Sequence, residues 1–300
     1  MGKVYLVGAG PGDPELLTLK AARILASADI VLHDSLVSPE VLARVSPSAQ
    51  IIDVGKRCGR KLLSQDEINS LLVSYVASQA VVVRLKGGDP LIFGRAGEEL
   101  EALREAGIEF EIVPGITAAI GAAAAAGISL TDRRVASQLL ISTFSRRAEG
   151  NAMDWGAVTP ATTLVLYMPG PDYTEVAQRL LDAGLPLELP CVIVSNATSS
   201  QQQIRWTTVA KLAHEEKLPA PALLIVGRVA SRHIQDVSAA FWWEESIFAA
   251  PAAGAMQSDA DTIPIIIEEI ISFRHSEREK RATDNDKEGS MEIKKREGYF

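Results

Sequence analysis

Val4-Tyr5-Leu6-Val7-Gly8-Ala9-Gly10-Pro11-Gly12-Asp13 is a short apolar run that breaks into a glycine-rich turn, and Glu15–Ala26 after it has helical spacing. Strand, tight turn and helix in that order open a β-α-β rhythm that continues outward. Ile30–Leu32, Ile51–Val54, Val81–Leu85 and Glu109–Val113 read as further strands. Ser64–Ser78 and Gly97–Ala106 read as helices, the first with Ser64 as its cap and Glu67 three places on. This alternation predicts a mainly parallel sheet covered by helices. Ala118–Ala126, with seven alanines in nine residues, predicts a helix lying close against a neighbour.

The second half keeps the α/β class without the motifs. Leu139–Thr143, Thr163–Tyr167, Cys191–Val194 and Ala222–Val226 read as strands, and Tyr173–Asp182 and Val209–Glu216 as helices. Two α/β domains are expected, over 1–135 and 136–245. Residues 246–300 read as a small-residue linker followed by a mobile charged tail, since Arg274–Phe300 carries 15 charged residues in 27.

The whole chain, 300 residues with 47% hydrophobic and 23% charged, has the composition of a globular protein. A net charge of −8 argues against a general nucleic-acid binder, which needs a cationic field, but leaves room for a local cationic pocket. Two cysteines, Cys58 and Cys191, build neither a disulfide framework nor a cysteine-rich metal site. The four histidines are scattered, so no metal is expected. Without a signal peptide or a long apolar window, the expected location is cytoplasmic, with no membrane partner.

Five loops follow predicted strands at their carboxyl ends: Gly8–Asp13, Asp34, Gly55-Lys56-Arg57, Gly87-Gly88-Asp89-Pro90 and Pro114-Gly115-Ile116-Thr117. In an open parallel sheet, the crevice outside those ends is where ligands bind. The first loop is not a dinucleotide fingerprint. Its third glycine comes one residue early, and Pro11 removes an amide from the middle.

Val4–Lys20 resembles the opening of the tetrapyrrole methylases. Asp34-Ser35-Leu36-Val37-Ser38, Gly55-Lys56-Arg57 and Gly87–Arg95 narrow the resemblance to the uroporphyrinogen-III C-methyltransferases, and Tyr167-Met168 agrees. The resemblance covers about residues 3–243. It implies a tetrapyrrole methylase fold, two α/β domains with the ligand cleft between them, in a homodimer. The implied reaction moves methyl groups from S-adenosylmethionine to carbons 2 and 7 of uroporphyrinogen III, giving precorrin-2. By motif match, Pro11, Gly87, Gly88, Asp89, Ile92, Thr117, Ala118, Met168 and Ala197 line the donor site. Asp34 matches the family's proposed proton acceptor and Lys56 its proposed proton donor.

Residue chemistry fits those roles. The sulfonium carries an activated methyl and needs no metal, while attack by a pyrrole carbon leaves a cationic ring that must lose a proton, as a positioned carboxylate allows. Backbone groups around Gly87–Asp89 are expected to bind the donor, and Met168 offers a polarizable apolar contact. An octacarboxylate acceptor calls for cations, and Arg57, Arg95 and Arg133 lie in or beside the matched motifs. The chain also departs from the family. It has Thr131-Asp132-Arg133 for the usual Thr-His-Arg, Ser142-Thr143-Phe144 for Thr-Gly-His, and Ala96 for a glycine. Asp132 is expected to repel acceptor carboxylates. Two other readings therefore stand beside the first: a methylase of a related precorrin, and a non-catalytic protein that binds the donor or a tetrapyrrole.

Overall fold

The computed structural model describes residues 2–57, 60–61, 63–76, 80–144, 153–170 and 173–231, with only the backbone described for Lys56, Arg57, Arg60 and Lys61. The linker and tail expected over 246–300 lie outside the described residues.

The first sheet holds β1 (Lys3–Gly8), β2 (Ile30–His33), β3 (Gln50–Asp53), β6 (Val81–Lys86) and β7 (Phe110–Val113) in the order β3-β2-β6-β1-β7. All its pairings are parallel, with Leu6 opposite Arg84 and Gly8 opposite Lys86. The five carboxyl ends therefore share one edge. Between β3 and β6 the chain makes a small antiparallel ribbon, β4 (Lys56–Arg57) with β5 (Arg60–Lys61). The covering helices are α1 (Leu19–Ala26), α2 (Pro39–Leu42), α3 (Gln65–Val76) and α4 (Ala96–Glu105). Val4, Leu6, Ile30, Leu32 and Val82 pack with Leu72 of α3 and with Leu100 and Leu103 of α4. On the opposite face, Val7, Val31, Val83 and Leu85 pack with Leu25 of α1 and Val41 of α2.

The local signals act as expected at α3, where Ser64 N–H donates to Glu67 Oε2 at 2.5 Å and Glu67 N–H to Ser64 Oγ at 3.2 Å, a reciprocal capping box. The helix expected over Glu15–Ala26 is divided. A single 3-10 turn, Pro14–Leu16, comes first, and α1 restarts behind Thr18, whose Oγ1 accepts from Ala21 N–H at 3.1 Å.

The second sheet is mixed. It orders β8 (Gln138–Thr143), β9 (Thr162–Tyr167), β10 (Pro190–Ser195), β11 (Gln203–Thr208) and β12 (Ala222–Val226) as β11-β10-β12-β9-β8. Only β8 and β9 run parallel; β9–β12, β12–β10 and β10–β11 are antiparallel. Strand β11 was not among the expected elements, and the helix expected over Val209–Glu216 is a single turn, α7 (Val209–Leu212). One face packs Leu164, Leu166, Ile193 and Leu224 against Val176 and Leu180 of α6 (Thr174–Asp182).

The alanine-rich helix α5 (Ala118–Ala125) covers the other face, placing Ala119, Ala122 and Ala123 against Val165, Val192, Val194 and Ile225. Alanine side chains let it lie close to the strands. Thus a helix on the amino-terminal side of residue 135 supplies the cover of the second sheet. Both domains are α/β layers, the class expected. No described helix is long and apolar enough to cross a membrane.

Candidate active site

Three of the strand-end loops interlock through bare backbone. Gly10 and Gly88 exchange N–H···O bonds of 3.2 and 2.8 Å, and Ala9 N–H donates to Lys86 O at 2.8 Å. A Cβ on Gly8 would stand 2.6 Å from the Gly115 backbone, and one on Gly115 would stand 2.4 Å from Gly88 O. Only glycine permits this approach. Asp89 bolts the same junction, with Oδ1 accepting from Leu91 N–H (2.8 Å) and Oδ2 from Gly115 N–H (3.0 Å). Gly88's own amide is thus committed to Gly10, and both Asp89 carboxylate oxygens to the loop backbone. These groups shape the donor site expected at Gly87–Asp89.

Beside these loops lies a cluster of charges inside the first domain. Side chains two apart on a strand share a face, so Arg84 and Lys86 extend the layer of Leu6 and Leu32 toward the carboxyl edge. Arg84 is 2% exposed and Glu99, on α4, 0%. Arg84 Nε and Lys86 Nζ both donate to Glu99 Oε1, at 2.9 and 3.0 Å. Arg84 Nη1 donates to Leu32 O and Leu85 O at 3.3 Å, and Nη2 reaches Asp34 Oδ1 at 2.5 Å. Lys86 Nζ stands 4.0 Å from Asp34 Oδ2. Burial works against the Arg84 charge, yet Asp34 and Glu99 together hold it above the ordinary arginine value. Burial, helped by the Arg84 charge, holds Lys86 below the ordinary lysine value. Asp34, with a side chain 30% exposed, is where this cluster meets the surface.

The second sheet contributes from the ends of β9 and β10. Tyr167 OH lies 2.5 Å from Thr117 Oγ1 and accepts from Ala119 N–H at 2.8 Å, so it caps α5 where Thr117 does not. Its ring packs against Phe93 at 5.0 Å. After β10, Thr198 Oγ1 accepts from Asp13 N–H at 3.2 Å, and a Cβ on Gly12 would be 3.2 Å from Ala197 O. Pro11 sits against α5, where a Cβ on Gly121 would meet its ring at 2.7 Å. Non-glycine residues with positive φ gather here: Phe93, Arg95, Met168, Asn196 and Thr198. Such strain persists where surroundings impose it, commonly at ligand sites.

Of the residues expected at the donor site, Pro11, Gly88, Asp89, Thr117, Ala118 and Ala197 meet in this network, Gly88 facing Thr117 and Ala118. Gly87 adjoins Leu36, while Ile92 and Met168 flank the Phe93–Tyr167 pair and are exposed. Leu36, Leu91, Ile92, Phe93 and Met168 all leave large apolar side chains open to solvent on these loops.

The expected acceptor cations are less convergent. Arg95 forks onto Glu98 at 2.7 and 2.5 Å, and Arg133 is exposed in the turn before β8. The side chains of Lys56 and Arg57 lie outside the described residues. Asp132, expected to repel acceptor carboxylates, is paired within the turn: Arg134 Nε and Nη2 bind its two oxygens at 2.9 and 2.8 Å. Phe144 packs on the α6-side core and edge-on to Trp155 at 6.0 Å.

The sequence reading missed Arg84, Lys86, Glu99 and the capping role of the Tyr167 hydroxyl. One signal was present: two basic residues, two apart, in the otherwise apolar run Val81–Lys86. Among the described residues, no group of three or more His, Cys, Asp or Glu side chains is placed to hold a metal ion.

Comparison with known proteins adds three findings. The signature of the Tetrapyrrole (Corrin/Porphyrin) Methylases matches residues 3–213. A uroporphyrinogen-III C-methyltransferase of Paracoccus denitrificans is 48% identical over 236 residues, 77% of this chain and 82% of that protein. Siroheme synthase 1 of Yersinia enterocolitica is also 48% identical, over 78% of this chain, and the chain spans about half (50%) of that longer protein. A crystal structure of uroporphyrin-III C-methyl transferase from Thermus thermophilus, complexed with S-adenyl homocysteine, superposes with a TM-score of 0.67 at 38% identity, covering 77% of this chain and 99% of that one.

Proposed function

The chain belongs to the tetrapyrrole methylases, and from that membership we propose that it methylates uroporphyrinogen III at carbons 2 and 7, with S-adenosylmethionine as donor, to give precorrin-2. The observation that carries this reading is a partly exposed carboxylate, Asp34, anchored by a buried guanidinium beside glycine loops where the two domains meet. Similarity to the Paracoccus enzyme over most of its length supports the acceptor, and the Thermus complex supports the donor.

The residues fit such a donor. At Gly88, φ is +69° and a Cβ would stand 3.5 Å from Ala118 N, in front of the α5 amino terminus, so its absence leaves that space open. The donor supplies a methyl group already activated on a sulfonium. The protein aligns the pyrrole carbon with that methyl and keeps water away, which the exposed apolar groups Leu36, Leu91, Ile92, Phe93 and Met168 suit. Once the carbon–methyl bond has formed, the ring is cationic. The methylated carbon then carries four carbon substituents, so Asp34 Oδ2 takes the proton from a position adjoining that ring, such as the neighbouring bridge carbon, and the electrons of that C–H bond neutralise the ring. Arg84, fixed on Oδ1, holds the carboxylate in place for that transfer. Lys56 as proton donor, and Arg57, Arg95 and Arg133 as partners of the acceptor carboxylates, complete the proposal. Arg95 is free to exchange Glu98 for a ligand, because exposed ion pairs are weak. The assembly proposed is a homodimer.

Incubation with S-adenosylmethionine and uroporphyrinogen III, followed by mass analysis, is expected to show two added methyl groups. A related precorrin as acceptor is the second reading, favoured by Phe144, whose partly buried ring packs against the core where the resemblance implies a histidine. It is supported if only a precorrin gains mass. Donor binding by calorimetry with no methylated product from either acceptor would overturn both in favour of a binding protein.

A further inference from the structure

We propose that Glu99 is a positioning residue that keeps one oxygen of Asp34 free to accept a proton, by holding the Lys86 ammonium away from it. The proposal rests on the reading of Asp34 as the base.

Glu99 is fully buried on α4 and works almost entirely through Oε1, which accepts from Arg84 Nε, Lys86 Nζ and Gln65 Nε2 at 2.9, 3.0 and 3.2 Å. Its Oε2 has no hydrogen-bond partner among the described residues. With Nε on Glu99 and Nη1 on two backbone carbonyls, Arg84 is fixed in orientation, and Nη2 binds only one oxygen of Asp34, Oδ1. The other oxygen, Oδ2, faces Lys86 across 4.0 Å, beyond hydrogen-bond reach. Among the described residues, two cations therefore share two carboxylates, and the division is unequal: Glu99 takes Lys86, and Asp34 Oδ2 is left without a partner in hydrogen-bond reach.

Buried ion clusters contribute little net stability, but a buried charge deprived of its partner seeks another. If Glu99 is neutralised, two buried cations face a single carboxylate. Lys86 needs to close only about 1 Å to bind Oδ2. An oxygen engaged by an ammonium is a poor acceptor for a proton leaving carbon, so the C–H bond adjoining the methylated ring breaks more slowly. Donor binding, on the glycine loops, is not touched.

The test is Glu99→Gln, which keeps the side-chain shape. Turnover is expected to fall by about 10- to 100-fold, with donor affinity and tetrapyrrole KM near the parent's. The charge-balanced double variant Lys86→Met/Glu99→Gln is expected to recover to within about five-fold of the parent, because no ammonium remains to occupy Oδ2. A merely structural role gives the opposite pattern, in which two core lesions add. Parental turnover in Glu99→Gln overturns the proposal, as does a folded double variant no faster than the single one. If Glu99→Gln alone does not fold, the double variant decides: folded and active supports the proposal, folded and inactive overturns it. Asp34→Asn, assayed in parallel, separates the two ideas. Parental turnover there removes the base itself and the premise with it, whereas slow Asp34→Asn beside fast Glu99→Gln removes only the role of Glu99.

Discussion

In the first sheet, the face that packs on α3 and α4 is apolar until it nears the carboxyl edge, where Arg84, Lys86 and Glu99 are buried under Asp34, whereas the buried polar side chains described in the second sheet are Thr162, Thr163 and Ser195, none of them charged. Strand direction explains part of the contrast. Parallel pairing brings all five loops of the first sheet to one edge, whereas antiparallel pairing turns β11 and β12 of the second away from β8, β9 and β10. The first sheet can thus gather chemistry at one place. The second supplies grip: a tyrosine hydroxyl on a helix terminus and a few strained loop residues.

The largest effect expected from breaking this division is at Asp34. Asp34→Asn should lower turnover by roughly 10²–10⁴-fold while calorimetric donor affinity stays near the parent's. Next comes the loop junction of the first domain, where Gly115→Ala forces a Cβ to within 2.4 Å of Gly88 O. Chemical denaturation should show a loss of about 3 kcal/mol, with weakened donor binding. On the second sheet, Tyr167→Phe keeps the ring beside Phe93 but strips the cap from Ala119 N–H. A loss of about 1–2 kcal/mol is expected, with reduced donor affinity and little change in kcat. A kcat effect as large as that of Asp34→Asn would dissolve the distinction between chemistry and grip. The smallest expected effect is at Cys191, whose thiol is pushed up to about 12 by burial. At about pH 8 it should resist iodoacetamide in the native protein and react once unfolded, as mass analysis of the alkylated peptide would record.

How far the sequence could be read follows the same line. Loops that position the site were legible because glycine and proline punctuate the ends of apolar runs, as at Gly8, Gly87 and Pro114. The ion cluster was not, because Arg84 and Glu99 meet only when α4 folds back over the sheet, and hydrophobic spacing carries no record of which partner a buried charge will find. Strand β11 escaped because Gln203-Ile204-Arg205-Trp206-Thr207-Thr208 is an edge strand with mixed polarity. Strand pairing direction in the second sheet depends on partners far along the chain, and single-strand patterns do not specify it. The bond between Asp132 and Arg134 forms within a turn, which hydrophobic spacing does not reveal.

The alanine helix α5 sets an order on synthesis. It leaves the ribosome with the first sheet already complete, yet the strand it covers at Ile225 is made roughly a hundred residues later, a long loop to close. Until Val165 and Tyr167 have followed it, a helix with little side-chain length of its own has no surface to bury and no hydroxyl to cap Ala119 N–H. In order of synthesis, the whole first sheet thus precedes the strands that α5 covers. The cover of α5 is complete only once β12 has been made, so this face of the second sheet closes last.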